Sequence, residues 1–408
     1  PDVALHAGTP AGEQLIGLLD AHPDEPLGTV YATEVLRQRR QVRRGPATLE
    51  LCVDRGRIHA GDRALPVCEL EIELIKGAPP AVIDEARRWI DGFGVALDAR
   101  TKAERGDLLA RGLDLAPPQS ARGVLLDAAM SAGAARRAVI RTCADQIIRN
   151  ASQVATGTHG SEHVHQLRVG LRRLRSALQL FDAAGPGDTT LGDGAAALFR
   201  SLGAARDADV LRAGFGPALD AALQAAGMEG LAGALPVPAL PASAADAVRA
   251  AAAQHFLLDL IAAGLEPAVA EPDAEATPLR ERLAGRIGRW HRRAARDAAG
   301  YEALDDEGRH ALRKRIKRLR YAVEFSAALF PARAVRRYLL PLKALQERLG
   351  EINDVVVALG VVGAARADDG GDPRLAFALG WLSARREALR VQAAPALKAF
   401  AKVGKFWK

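Results

Sequence analysis

Residues 165–181 read HQLRVGLRRLRSALQLF: one histidine, four arginines, no acid, and a leucine or phenylalanine every third or fourth position. That spacing predicts an amphipathic helix. At 100° per residue, His165, Arg168, Arg172 and Arg175 fall within an arc of about 80°, and Leu167, Leu171, Leu174, Leu178 and Phe181 take the other side. Such a helix buries its leucines in a bundle and presents a ladder of donors roughly 15 Å long.

The same pattern returns 145 residues later. His165, Arg168, Arg172, Arg173, Leu174 and Arg175 are matched in order by His310, Arg313, Lys317, Arg318, Leu319 and Arg320, with Lys314 as an added cation. In the second copy His310, Arg313, Lys317 and Arg320 share one face, opposite Leu312, Ile316, Leu319 and Val323. Downstream, Leu202-Gly203 through Asp207 is matched by Leu349-Gly350 through Asp354. A multi-part pattern repeated in order marks a duplication of helical units. A third segment, ERLAGRIGRWHRRAARDA at 281–298, places Arg282, Arg286, Arg289, Arg293 and Arg296 in one stripe. Like charges at these spacings destabilise an isolated helix by a few tenths of a kcal/mol per pair, so either acids neighbour them in the fold or an anion does. Asp207 and Asp354 are candidates to cap a helix or to orient an arginine.

Charge is unevenly distributed along the 408 residues. The whole chain has net charge +7; residues 1–111 hold 15 basic and 18 acidic side chains, and residues 112–408 hold 41 and 31. The second part is the one built to meet an anion. Three cysteines, Cys52, Cys68 and Cys143, without metal-ligand spacing, fit a reducing compartment. No apolar run approaches the roughly 18 residues of a membrane span and no signal pattern opens the sequence, so neither a membrane partner nor export is expected.

Before residue 112 the periodicity is two. In TLELCVD and CELEIELIKG, Leu49, Leu51 and Val53 alternate with Glu50 and Asp54, and Leu70, Ile72 and Leu74 alternate with Glu69, Glu71 and Glu73. These are half-buried strands with one face of carboxylates. YATEVLRQRRQVRR reads as another strand, with Thr33, Val35, Arg37 and Arg39 on one face, and Gly61-Asp62 reads as a turn between antiparallel neighbours. The alternation fits equally a plain polar sheet face. LDLAPPQSARG forms the boundary with the helical part, and GALPVPALPASAADA splits that part near its middle.

Arginine is the informative choice on the basic helices. Its fork grips phosphate oxygens in pairs and never loses its charge, whereas Lys314 and Lys317 add point charges. Aromatics make up 4% of the chain and only Tyr321 and Trp290 stand near the basic stretches, so there is little on which to stack bases and nucleic acid is not the expected specific partner. His163 and His165 fall on different helix faces. HExxH, GxSxG and a phosphate loop ending in GK[ST] do not occur.

HVHQLRVGLRRLRSALQLF, HALRKRIKRLRYAVEF, LGAARDADV and LGEINDVVV resemble the CHAD family, the histidine-containing α-helical domains, over about residues 120–408. The resemblance implies two helical bundles related by a pseudo-two-fold, with basic helices facing a positively charged groove that binds inorganic polyphosphate. The matching residues are His165, Arg168, Arg172, Arg173, Arg175, His310, Arg313, Lys314, Lys317, Arg318 and Arg320; Arg286, Arg289 and Arg293 join them from the third stripe. YATEVLRQRR, LELCVDRG, LPVCELEIELIKG and TKAERG resemble the C-terminal half of a CYTH domain, the triphosphate tunnel fold. That implies divalent metal on acidic strand residues, among Glu50, Asp54, Glu69, Glu71 and Glu73 and first of all Glu71 and Glu73, with Arg37, Arg39 and Lys76 for triphosphate. Such domains open with an ExExK strand, and none precedes residue 29.

The expected architecture is therefore mainly α, with a smaller N-terminal antiparallel β region: residues 1–111 CYTH-like, 112–122 a linker, and 123–408 CHAD-like with repeats at about 123–232 and 248–408. The expected function is non-enzymatic binding of inorganic polyphosphate, in the cytoplasm and at polyphosphate granules, with no cofactor required. The alternatives are a Mg²⁺- or Mn²⁺-dependent triphosphatase acting through the acidic strands, which needs a complete set of ligands, and a general binder of polyanions or nucleic acid.

Overall fold

The computed structural model describes residues 3–25, 28–181, 186–203, 214–231, 243–265, 277–368 and 371–407. Two compact units divide the chain. The first holds residues 1–81 and 100–116, the second residues 82–99 and 117–408.

The first unit carries helix α1 (Pro10–Ala21) and strands β1 (Ala32–Arg44), β2 (Ala47–Ala60) and β3 (Arg63–Lys76) in one antiparallel sheet of order β1-β2-β3. Tight turns join the strands. Gly45 and Gly61 sit in them at φ 58° and 59°, a left-handed conformation that costs a glycine little. The register pairs Leu49 with Leu74, Leu51 with Ile72 and Val53 with Leu70, and on the alternate positions Glu50 with Glu73, Cys52 with Glu71 and Asp54 with Glu69. Arg37 lies opposite Asp54 and Arg39 opposite Cys52. The period-two reading of apolar and carboxylate faces is what the sheet shows. Helix α3 (Lys102–Ala110) closes one end, packing Leu109 with Ile58, Ala60 and Val67.

The second unit is helical. Helix α2 (Pro80–Phe93) leads into it, and residues 82–99, inside the stretch read as CYTH-like, pack here for a visible reason. Gln254 accepts from the Leu97 amide at 2.7 Å, Ser152 accepts from the Ala99 amide at 2.9 Å, and Arg87 is ion-paired with Asp259. Residues 113–131 form no helix or strand. After them come α4 (Ala132–Ala155), α5 (Ser161–Phe181), α6 (Pro186–Ser201), α7 (Gly216–Ala225), α8 (Ala244–Arg249), α9 (Ala251–Gly264), α10 (Leu279–Ala299), α11 (Asp306–Ser326), α12 (Ala332–Asp368) and α13 (Pro373–Ala401).

The succession α4-α5-α6 corresponds to α10-α11-α12, with the quoted basic stretches forming α5 and α11. Leu167, Leu171 and Leu174 of α5 and Leu312, Ile316 and Leu319 of α11 are fully buried in one shared core, as the helical periodicity predicts. The two helices pack on one another. A smaller apolar cluster joins Leu219 and Leu223 of α7 to Val355 and Val362 of α12 and Leu375 and Leu382 of α13. Gly170 marks a close approach: a Cβ there would lie 2.8 Å from Ile147 Cγ1 of α4. Among the described residues no helix is long and apolar enough to cross a membrane.

Candidate functional site

Two local devices set the phase of the basic helices. At the start of α5 the His163 Nδ1 accepts from the Gly160 amide at 3.2 Å, and at the start of α11 the Asp305 carboxylate accepts from the Gly308 amide at 2.7 Å. Both use an orphan amide of the first turn. His163 is thereby buried on the core side, and His165, two residues on, turns to the other.

The two helices border a cleft of about 520 Å³, lined also from α6 and α10. Its basic residues are Arg172 and Arg175 of α5, Arg293 of α10, and His310, Arg313, Lys314, Arg315, Lys317 and Arg318 of α11. No acidic residue lines it among the described residues. Ser176, Gln179, Phe199 and Tyr321 complete the polar and aromatic wall.

Neighbours hold several of these cations in place. Arg318 donates to Gln179 Oε1 at 2.8 Å and lies 4.6 Å over the Trp290 ring. Arg172 stands 5.6 Å from the Phe199 ring centre, and Arg315 is ion-paired with Asp297. Cation-on-ring placement orients a guanidinium while leaving donors available.

Crowding marks the titration of the cleft. Burial is the largest cause lowering the Lys317 ammonium to about 6; Arg172 and Arg313 add to it and Asp354 opposes. His310 is held below the usual imidazole range by burial and then Lys314, although Asn353 Oδ1 lies 3.3 Å from its Nδ1. Arg318 is lowered by burial and by Arg315, Arg293 and Arg286. Burial first, and then like charges facing one another, produce this pattern.

Six residues expected at the site do not line this cleft. Arg173, one position out of phase with Arg172, is only 4% exposed and pairs with Glu324 at 3.2 Å, also donating to the Arg122 carbonyl. Arg320 shares Glu324, at 3.6 Å. Arg168 donates to the Leu202 carbonyl at 2.6 Å and stacks on Phe199 at 4.4 Å. Arg286 donates twice to the Gln179 carbonyl, at 2.8 and 3.2 Å. His165 and Arg289 lie outside the lining as well. Asp354 is in the body of α12, so it caps nothing, and it acts on Lys317; Asp207 lies outside the described residues. Arg315, Gln179 and Phe199 lie outside the sequence pattern: Arg315 is off the i, i+3, i+4 stripe, and Phe199 comes from another helix.

The acidic strands make a different arrangement. Carboxylate oxygens of Asp54, Glu69 and Glu71 lie within 4.8 Å of one another, a grouping that the divalent-ion reading would require. The Lys102 ammonium sits among them, 2.7 Å from Asp54 Oδ2 and 2.6 Å from Glu71 Oε1, and is also paired with Glu69. Arg37 donates to both Asp54 oxygens at 2.7 Å and to Glu71 at 2.6 Å, and Arg105 takes the other Glu69 oxygen. A capping box, Thr101 and Glu104 exchanging bonds at 3.1 and 3.0 Å, opens α3 and so fixes Lys102 and Arg105 over the sheet. Arg37, then Lys102, holds the buried Asp54 carboxyl at about 2. Every oxygen of the three carboxylates already has a cationic donor, so the set does not fit a divalent ion as it stands. Glu73 is exposed opposite Glu50, so of the expected pair Glu71 stands in this grouping and Glu73 stands outside it, farther along the same strand face.

The CHAD domain family matches residues 138–363, more than half of the chain. The chain belongs to the CHAD family. It is also similar to the CHAD domain from the plant Ricinus communis, known from a crystal structure, at 29% identity and a TM-score of 0.60. That likeness covers 71% of this chain and 98% of the plant domain. The CHAD match takes in α5, α6, α10 and α11, and so the whole cleft; it leaves the three-stranded sheet outside.

Proposed function

We propose that the CHAD region binds inorganic polyphosphate in the cleft between α5 and α11, without turnover. The supporting observation is the lining itself: nine basic side chains from three helices converge on one concavity that no described acid enters. A linear chain of phosphates offers an anionic group every few ångströms, which suits arginine forks, and the aromatic rings of the wall already carry arginines. Affinity is then the sum of many charge-assisted contacts and weakens steeply with salt, as counterion release dictates for any polyelectrolyte. The resemblance to CHAD domains supports the same ligand, and association with polyphosphate granules in the cytoplasm is the cellular form of this proposal. The sheet of the first unit, whose likeness to a CYTH domain rests on its sequence, has its carboxylates closed by Lys102, Arg37 and Arg105, and this disfavours a triphosphatase.

The test is titration with long-chain polyphosphate and with single-stranded DNA of matched charge at two salt concentrations, following phosphate release in the same tubes. Tight, salt-sensitive, polyphosphate-selective binding without release is expected. Replacement of Arg172, Arg313 and Lys317 together by Ala should abolish selectivity; binding that survives it unchanged overturns the proposal.

A further inference from the structure

We infer that Lys317 is an acylation site for acyl phosphates, the mixed anhydrides of a carboxylic acid and phosphoric acid, with the surrounding guanidinium groups holding the phosphoryl end. This rests on reading the cleft as a phosphate site and adds to it a nucleophile.

Three observations carry it. First, Lys317 has no ion pair among the described residues, whereas Lys102, the other half-buried lysine discussed above, is locked to three carboxylates. Secondly, Arg172 of α5 and Arg313, one turn away on its own helix, line the same cleft as Lys317, and both lower it, as does Arg320, with Asp354 of α12 opposing. Thirdly, it opens into a cleft whose other walls suit a phosphate. Amine and phosphate site thus share one pocket, which is the requirement for attack on a carbonyl next to a bound phosphoryl group.

The step balances without a further reagent. The neutral amine of Lys317 adds to the carbonyl carbon, the C–N bond forms, the carbonyl C–O bond to phosphorus breaks, phosphate departs with the bonding pair, and the amine gives one proton to water. The product is an amide that has lost its charge and fills part of the cleft. Because burial and crowding hold Lys317 at about 6, its amine is neutral at pH 7.5, where an ordinary lysine is neutral only about one part in a thousand. Lower basicity returns part of that gain, which leaves an advantage of about tenfold or more.

The experiment incubates the full chain with acetyl phosphate at pH 7.5 and follows modification by peptide mapping. Lys317 should be acetylated at least about tenfold faster than Lys314, which is exposed one turn away. Tripolyphosphate should protect Lys317, and Arg172→Ala should slow acetylation by acetyl phosphate more than it changes acetylation by a neutral N-hydroxysuccinimide ester, whose rate reports the altered basicity of the amine alone. If polyphosphate binds and protects nothing, or if Lys317 reacts no faster than Lys314, the acylation site is overturned and polyphosphate binding stands. If Lys317 reacts quickly with both reagents but Arg172→Ala and tripolyphosphate have no effect, phosphate steering is overturned. If polyphosphate does not bind at all, the function proposed above falls, and the inference with it.

Discussion

Replacing Lys102 by Ala is the sharpest test of the first unit, because one ammonium serves three carboxylates there. Asp54 is fully buried, while the Glu69 and Glu71 side chains are 25% and 37% exposed. Removing one partner from a buried ionic cluster costs about 3–5 kcal/mol. Partial exposure of the two glutamates and retention of Arg37 and Arg105 place the expected cost near the lower bound, about 3 kcal/mol. The four tryptophans, Trp89, Trp290, Trp381 and Trp407, all belong to the helical unit, so fluorescence is the wrong probe. Hydrogen exchange read separately for β2–β3 and for α11 is the right one. A loss of about 3 kcal/mol is a rise of roughly a hundredfold in exchange of β2–β3 amides that open with the unit, with α11 as internal reference. Adding Mn²⁺ should restore protection in Lys102→Ala, where the carboxylates are left short of positive charge, and should do little in the native chain. Unchanged β2–β3 exchange in the variant, or equal protection of the native chain by Mn²⁺, would refute the idea that Lys102 takes the place a divalent ion would fill.

Further outcomes follow from other contacts. Glu324→Gln removes the carboxylate from the buried Arg173 and should destabilise the helical unit by about 3 kcal/mol, seen as a lower denaturant midpoint; no change would mean that the Arg122 carbonyl alone suffices. The triple change of Arg172, Arg313 and Lys317 to Ala should flatten the slope of log affinity against log salt for polyphosphate by roughly 2, at about 0.7 per lost contact for a single-stranded polyanion. Lys317 is lowered to about 6 in the folded chain, so it binds fewer protons there than when unfolded. Its contribution to stability therefore increases as pH rises from about 6 toward the ordinary lysine value. Polyphosphate would favour the charged form, so affinity should rise as pH falls toward about 6 and level off below it, and Lys317→Arg should remove the lysine's part of that dependence. Asp54, depressed to about 2, contributes stability that is present above its ordinary value of 3.8 and is lost as pH falls through 2; acid unfolding of β2–β3 should begin at higher pH in Lys102→Ala.

Much of this was legible in the residue order, and the reasons are local. The leucines of α5 and α11 are buried where a 3.6-residue period puts them, and Glu69, Glu71 and Glu73 share a strand face because the strand period is two. What the periods could not give was the partner across an element. Arg173 and Arg318 occupy equivalent positions in the repeat, yet one is in the core with Glu324 and the other faces Gln179 and Trp290. Lys102 follows Glu69 and Glu71 by some thirty residues and Asp54 by nearly fifty, and nothing in its own surroundings in the sequence says that it returns to them; only the capping box of α3, laid across the sheet, does that. Residues 82–99 read as part of the first region because they follow its strands, and their amides find acceptors on α4 and α9 instead.

The duplication explains why the cleft is uneven and where its chemistry concentrates. Of the matched positions, His310, Arg313 and Arg318 line it where His165, Arg168 and Arg173 do not, and Arg175 lines it where Arg320 does not. Arg172 and Lys317 are the pair in which both copies line the cleft, and after burial itself Arg172 does most to lower Lys317. Two guanidinium groups meeting there would have no way to relieve their repulsion, since neither gives up its proton near neutral pH. An ammonium does. With lysine in one copy the cleft sheds a charge at a crowded point, and a long polyphosphate, with far more negative charge than a single acyl phosphate, would draw the proton back. If that is the reason for the asymmetry, Lys317→Arg should lower the stability of the empty chain yet raise its affinity for polyphosphate at pH 8, and a variant that is weaker in both would show that the lysine is there for its shape instead.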